Sequence, residues 1–296
     1  MTITLTETKK CPICALPRPR KSLYSLGSFG VYRCSCGVKY IDPSLDMENQ
    51  MKLYRSSETL KQINPVLEDY YEYEALDIRS ATFRDYERAL GAIEKQVSGR
   101  SLLEVGCGTG SFLDFANQKK WRVCGLDSSD ENILKLSAKG IRGIAGNFLT
   151  CPLREKFDAV VFWDVIEHLQ APAQFIDRAK SLLNPKGLIL IAIPNDANIA
   201  VSLASFLYRI TGGWIKAPLQ RFYVLEHTSY FDTTTLRHFL EREKVKVTDY
   251  WQTDTDIDRY RLPWHLKAVL RGLFVVGSIL KRQTRLLMTA RANHIS

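Results

Sequence analysis

The chain has 296 residues, of which 45% are hydrophobic and 25% charged, with 17 Gly and 11 Pro. This is the balance of an ordinary globular protein long enough to bury a sizeable core, and it excludes collagen-like, disordered and disulfide-scaffold classes. The net charge of +9 is lopsided: Arg259, Arg261, Lys267, Arg271, Lys281, Arg282, Arg285 and Arg291 lie in a C-terminal stretch without one acidic residue, so the basicity belongs to that tail.

No run reaches the ~18–20 uninterrupted apolar residues of a membrane span. The start, MTITLTETKK, lacks the apolar core of a signal peptide, so a cytoplasmic protein is expected. Of seven cysteines, four fall in the first 36 residues. An odd total in a reducing compartment argues against a disulfide framework. Cys11-Pro-Ile-Cys14 and Cys34-Ser-Cys36-Gly37 are two short thiol pairs on either side of a strand-like VYR. Two such pairs can close a tetrahedral site, so Cys11, Cys14, Cys34 and Cys36 are expected to hold a structural zinc within residues 1–45, with iron or bare thiols as alternatives. The second pair is C-x-C where C-x-x-C is the usual ribbon spacing.

Glu72 to Val97 reads as a helix, with Phe83, Tyr86, Leu90, Ile93 and Val97 on one face and Ser98-Gly99 as its stop. From Ser101 the pattern alternates. SLLEV, RVCGLD, IRGIA, FDAVVFWD and GLILIAIP read as buried strands, with helices over Ser111–Lys119, Ser129–Lys139 and Ala171–Leu183 between them. Thr233–Arg242 is a further helix, KVKVTDYW a further strand and RLLMTARA a last one. Strands alternating with helices predict an α/β fold with a doubly wound, mostly parallel sheet covered on both faces.

The most informative stretch is Leu102-Leu103-Glu104-Val105-Gly106-Cys107-Gly108-Thr109-Gly110-Ser111, a strand, a glycine turn and a helix start. Such a turn lets a ligand approach the backbone at the carboxyl edge of an open sheet. Dinucleotide sites want G-x-G-x-x-G, whereas here the spacing is G-x-G-x-G, and Glu104 two residues earlier would repel a pyrophosphate. A cationic ligand without phosphate, such as S-adenosylmethionine, suits that acid. Asp127 closes the second strand, where a carboxylate accepts from ribose hydroxyls. Asn147 and Phe148 follow the third, where an adenine should lie.

These motifs resemble the seven-strand, class I S-adenosylmethionine-dependent methyltransferases over about Ser101–Trp251. FDAVVFWDVIEHLQAP, LLNPKGLILIAIPN and EHTSYFDTTTLRHFL add further matches, and the ubiquinone-pathway O-methyltransferases have a similar fourth-strand motif. The resemblance implies a Rossmann-like methyltransferase with a cofactor site drawn from Glu104, Gly106, Cys107, Gly108, Gly110, Asp127, Ser128, Asn147, Phe148 and Asp164. CPIC…YRCSCGVKYIDP in turn resembles the zinc-ribbon module that precedes the methyltransferase domain in a bacterial subset, sugar methyltransferases among them.

A hydroxyl acceptor gains from a general base. His168, in Asp164-Val165-Ile166-Glu167-His168, and His227, in Glu226-His227-Thr228, are the candidates. Asp164, Glu167 and His168 at helical offsets would also permit a divalent-metal site. The expected division is a module at 1–45, a helical linker and cofactor lid at 46–98, and the methyltransferase domain at 99–292. That domain carries an acceptor-side insertion at 195–230 and a basic amphipathic insertion at 253–283. The second insertion reads either as a helix packed over the active site or against the N-terminal helix, or as one lying on a membrane surface.

The expected reaction is O-methylation of a small-molecule, sugar or lipid-linked acceptor. C-methylation of a nucleotide sugar, or a non-catalytic nucleotide-binding adaptor, are the alternatives. An NAD oxidoreductase is disfavoured by the loop spacing. Nucleic acid is not the expected partner: the place after the fourth strand reads WDVIEH and not the Asn/Asp-Pro-Pro-aromatic turn of base methylation.

Overall fold

The structure, a computed structural model, describes residues 5–45, 49, 80–259 and 263–292. It begins with five short strands: β1 (Leu5–Thr6), β2 (Tyr24–Ser25), β3 (Gly30–Arg33), β4 (Lys39–Asp42) and β5 (Ser44–Leu45). Helix α1 (Ala81–Glu94) starts where Ser80 Oγ accepts the Phe83 N–H, and it buries Tyr86, Ala89, Leu90 and Ile93. The first turns of the helix expected from Glu72, and most of the 46–98 linker, lie outside the described residues.

Then strands and helices alternate as the sequence pattern predicts: β6 (Ser101–Val105), α2 (Ser111–Gln118), β7 (Arg122–Asp127), α3 (Asp130–Ala138), β8 (Arg142–Ala145), β9 (Phe157–Trp163), α4 (Pro172–Ser181) and β10 (Leu183–Pro194). After β10 come α5 (Ile199–Ile210), α6 (Ala217–Gln220), β11 (Ser229–Tyr230), α7 (Thr233–Arg242), β12 (Val245–Thr253), α8 (Trp264–Ile279) and β13 (Arg285–Ala292). Among the described residues, no helix is long and apolar enough to cross a membrane.

The main sheet has seven strands in the order β12-β13-β10-β9-β6-β7-β8. It is parallel except for β13, which runs antiparallel to both β10 and β12. The doubly wound Rossmann-like sheet is thus present. β6 sits where the strand order reverses, with β9 on one side and β7 on the other. Outside its carboxyl end lies the crevice where open α/β sheets bind ligands. β9 and the Leu188–Ile193 part of β10 are largely apolar because both sheet faces are covered. β10 starts earlier than GLILIAIP, since Leu183 already pairs with Phe157 and the Asn184–Gly187 turn becomes an irregularity before pairing resumes at Leu188.

A second sheet, β11-β4-β3-β2, joins the N-terminal module to the rest of the chain. Its strand β11 comes from the segment after β10 and pairs antiparallel with β4, Ser229 opposite Tyr40 and Tyr230 opposite Lys39. Helix α5 covers this sheet: Val201 and Ala204 share a buried cluster with Tyr24, Leu26 and Val31. Tyr24 Oη donates to Ser205 Oγ at 2.9 Å, and its ring meets Tyr208 edge-on.

The junction also holds a near-buried ion pair. Lys39 Nζ reaches Asp196 at 2.7 Å and donates to Tyr223 Oη at 2.9 Å, while Tyr223 Oη donates to Asp196 at 2.8 Å. Removing one member of such a pair leaves an uncompensated charge and costs about 3–5 kcal/mol. Lys39→Met should therefore lower stability to urea by roughly that amount, in a single transition. A two-step transition in which only the N-terminal module is weakened would contradict this coupling.

Candidate functional site

The glycine turn after β6 is held from below and from the side. Gly106 and Cys107 N–H groups donate to Leu126 O at 2.7 and 3.2 Å. Gly108 N–H donates to Asp127 Oδ2 at 2.8 Å, and Asp127 Oδ1 accepts the Ser129 N–H at 2.8 Å. Asp127, Ser129 and the turn are thus one interlocked unit at the ends of β6 and β7. Two glycines have distinct reasons. Gly110 caps α2 at φ 76°, and a Cβ there would come within 2.1 Å of Leu136. Gly108, at φ 53°, faces space with no heavy atom within 4 Å of a Cβ position. The first is fixed by packing; the second leaves room for a ligand to touch backbone.

Glu104 lies beneath this space, 4% exposed, and its Oε2 has no hydrogen-bond partner. Burial first, and then the neighbouring Asp127, hold its carboxyl well above the usual carboxylate range. An orphaned buried acid beside an open backbone cradle fits a ligand that brings a cation and hydroxyl groups, as S-adenosylmethionine does. Cys107 contributes backbone only: burial pushes its thiol up, and the thiol donates to Gly108 O. Asn147 Oδ1 accepts the Leu149 N–H within its own turn. Phe148 is 3% exposed and packs against Phe162 and Phe175, so it reinforces the floor of the third strand end.

On the other side of β6, Asp164 follows β9 at φ 54° and accepts from Arg285 at 2.8 Å. Arg285, at the start of β13, was not picked out by sequence reasoning beyond its share of the basic tail. Its signal is only visible once β13 lies beside β10. Ile166–His168 forms a 3-10 turn. There His168 Nδ1 bonds Glu226 O at 2.8 Å, and the His168 and His227 rings meet edge-on at 4.5 Å. The two histidines, 59 positions apart in the chain, are thus brought together. A carbonyl can only accept, so Nδ1 carries the proton and Nε2 keeps a lone pair. Burial lowers both imidazoles, His227 strongly with His168 as a further cause, so both are neutral near pH 7.

Glu167 is buried beside them with both carboxyl oxygens unpartnered, 4.0 Å from His168 Nε2. Burial, then Asp164, raises its carboxyl well above the usual range. Ligand atoms of Glu167, His168 and His227 all fall within 4.8 Å of one another. This is the cluster a divalent cation would find. It differs from the Asp164–Glu167–His168 set expected from helical spacing, because the turn is a 3-10 turn and Asp164 is engaged by Arg285.

The segment carrying His227 is fastened on both sides. Ile41 N–H, in β4, donates to Thr228 O at 3.3 Å, and Thr228 N–H donates to Glu167 O at 2.9 Å. Thr228 Oγ1 adds bonds to Glu167 O and Leu169 O.

The four N-terminal cysteines converge as well. Their sulfurs lie within 4.8 Å of one another, with Cys11–Cys36 at 3.8 Å and Cys14–Cys34 at 3.3 Å. A tetrahedral zinc–thiolate site, with Zn–S of about 2.3 Å, needs sulfurs about 3.8 Å apart. Burial would raise Cys34, but the Cys36 N–H and neighbouring thiols outweigh it and bring that group down to about 7. The donor set and spacing fit a closed, structural zinc site.

A profile of the family described as methyltransferase domain matches residues 75–248. A probable S-adenosylmethionine-dependent methyltransferase of Mycolicibacterium smegmatis is 34% identical over 116 residues, which is 38% of this chain and 45% of that protein. That match spans less than half of the relative's length. A ubiquinone biosynthesis O-methyltransferase of a Caulobacter species is 25% identical over 197 residues, 58% of this chain and 76% of the relative. Among solved structures, magnesium protoporphyrin IX methyltransferase from Synechocystis PCC 6803, with SAH bound, superposes with a TM-score of 0.53. It covers 84% of this chain and 100% of that one at 13% identity. At that identity the likeness is one of fold.

The Glu167 environment yields a signed prediction. A carboxyl whose folded-state pKa is raised loses folding stability as pH climbs from its unfolded value toward the folded one. Glu167→Gln, which mimics the protonated form, should therefore melt a few degrees above the wild type at pH 8. The gain should shrink as pH falls toward 5. Thermal melts across that range check it; a variant less stable than wild type at pH 8 would show that Glu167 is ionised and compensated.

Proposed function

The chain belongs to the class I, S-adenosylmethionine-dependent methyltransferase-domain family, and from that premise we propose that it transfers a methyl group from S-adenosylmethionine to a hydroxyl oxygen of a small-molecule, sugar or lipid-linked acceptor. The observation that carries the reading is the buried, orphaned Glu104 beneath an open glycine turn whose geometry is locked by Asp127. Glu104, Gly106, Gly108, Gly110 and Asp127 would hold the cofactor, with Ser128, Asn147, Phe148 and Asp164 completing its surroundings. S-adenosylmethionine supplies, when bound, a methyl group on a positively charged sulfur, open to in-line attack.

The protein's part is to position the acceptor and take its proton. His168 and His227 are the residues we assign to that task. A neutral imidazole with its Nδ1–H fixed on a backbone carbonyl presents Nε2 as a base, and this arrangement is in hand for His168. Lowered imidazole pKa values keep that base available at neutral pH. We read residues 1–45 as a zinc-ribbon module, 46–98 as linker and lid, and 99–292 as the methyltransferase domain. Cys11, Cys14, Cys34 and Cys36 hold one structural zinc in this reading, and the support for it is the convergence of four thiols.

Three measurements test these assignments. Calorimetry should show binding of S-adenosylhomocysteine, weakened by about 1–3 kcal/mol in Asp127→Ala through unpaired ligand hydroxyls. Absence of binding, or tighter binding of NAD, would contradict the cofactor assignment. His168→Gln should lower turnover by about a hundredfold or more with cofactor affinity unchanged; full activity would remove it from the chemistry. Elemental analysis should find one zinc per chain, lost in the Cys11→Ser/Cys14→Ser variant. That variant should also lose turnover, because β4 supports the His227 segment.

A further inference from the structure

Two helices leave apolar faces exposed, and the fold sets them against each other. On α5, the inner side, Val201 and Ala204, covers the N-terminal sheet, while Leu203, Phe206 and Ile210 recur at offsets of three and four on the outer side. Phe206 is 58% exposed, and Trp214, just past the helix, is 85% exposed. On α8, Trp264 is 81% and Ile279 75% exposed, with Val269 and Val275 exposed between them. Gly277 is the one buried residue of that helix. A Cβ there would stand 3.2 Å from Ile199, at the start of α5, and Arg282 both accepts the Ile199 N–H and donates from Nε to Ala197 O. The end of α8 thus sits on the beginning of α5.

The charge on this side is predominantly positive. Residues 197–225 contain Arg209, Lys216 and Arg221 and no acid, and the tail from Arg259 contains none either. The tail's charges are not all available. Arg285 is engaged by Asp164, Lys267 by Asp258 and Arg291 by Gln96 O. Arg209, Lys216, Arg271 and Lys281 are exposed and, among the described residues, make no ion pair. Arg271 shares one face of α8 with Trp264 and Val275, at offsets of seven and four.

We propose that α5, the turn carrying Trp214, and α8 form one composite surface that docks on an anionic lipid bilayer. Aromatic and aliphatic side chains amid cations, with the adjacent Asp258 neutralised by Lys267, suit an interface of apolar chains below anionic headgroups. At 16 residues, α8 is about 24 Å long and lies on such a surface without spanning it. A second copy of the chain is a poorer occupant, because two such faces would set cation against cation. A single-stranded nucleic acid would use flat stacking platforms, and Ile210, Val275 and Ile279 offer none. The inference goes beyond the methyl-transfer reading and does not require it, since these helices carry none of the cofactor residues.

Vesicle flotation of the full chain tests it. The protein should float with phosphatidylcholine vesicles that contain phosphatidylglycerol, not with phosphatidylcholine alone, and should be released by raised salt. Phe206→Ser/Trp214→Ser and Trp264→Ser/Ile279→Ser should each weaken binding about tenfold or more, since both helices contribute. Arg271→Glu/Lys281→Glu, which removes no packed apolar group, should do the same. Calorimetry with S-adenosylhomocysteine, run on the same samples, reads the methyltransferase assignment separately. No flotation on anionic vesicles at low salt would overturn the proposal. So would an α5 variant that floats like wild type, or a concentration-dependent dimer abolished by these substitutions.

Discussion

The pairing of the two histidines depends on how one short segment, Glu226–Thr228, is held. It has no regular structure of its own, so its backbone groups must find partners elsewhere. They do so on two sides at once: Thr228 bridges from Ile41 in β4 to Glu167 O, and Glu226 O accepts His168 Nδ1. His227 meets His168 because of this clamp. The N-terminal strands are therefore part of the wall of the candidate active site, and the cysteine cluster that ties their turns together supports it from behind. Lys39 and Asp196 strengthen the same junction, one contributed by β4 and the other by the residue pair that follows β10.

Around this clamp the site gathers acids that the fold leaves without compensation. Glu104 and Glu167 are both buried at the carboxyl edge of the sheet, on neighbouring strands' ends, with unpartnered oxygens. Each costs folding stability when ionised. Asp164, close by, has Arg285, and Asp127 has two backbone N–H groups. Asp127 and Asp164 are thus fixed in place by protein groups, whereas Glu104 and Glu167 keep oxygens that no protein group meets. Such unpartnered acids are a common signature of a functional site, where local stability is given up for chemistry.

Much of the sheet was legible in the sequence because each of its strands is a short apolar run bounded by turn residues, and periodicity is a local property. Ser101–Val105, Arg122–Asp127 and Phe157–Trp163 follow their sequence patterns to within a residue or two. The glycine turn was legible for the same reason, since Glu104, Gly106, Gly108 and Gly110 are contiguous with their strand. What stayed hidden rests on contacts between distant positions. Lys39 and Tyr223 are 184 residues apart, and neither carries a local mark of the other. The strand β11 is two residues long and has no periodicity to read. Arg285 looked like part of a basic tail until β13 placed it against Asp164. The insertion at 195–230 was marked off in the sequence, but nothing in it says that α8 returns to sit beside α5.

In the function proposed for this chain, the buried acid beneath the glycine turn is kept for a cationic methyl donor. Burial and Asp127 hold Glu104 well above the ordinary carboxylate range, and a cation brought against it favours the ionised form, so that binding should expel a proton. Calorimetric titration with S-adenosylmethionine at neutral pH, repeated in buffers of different ionisation enthalpy, reads that proton directly. Proton release on binding is expected, abolished in Glu104→Gln, which has no carboxyl proton to lose. Binding with no buffer-dependent heat in the wild type, or identical proton release in Glu104→Gln, would contradict it.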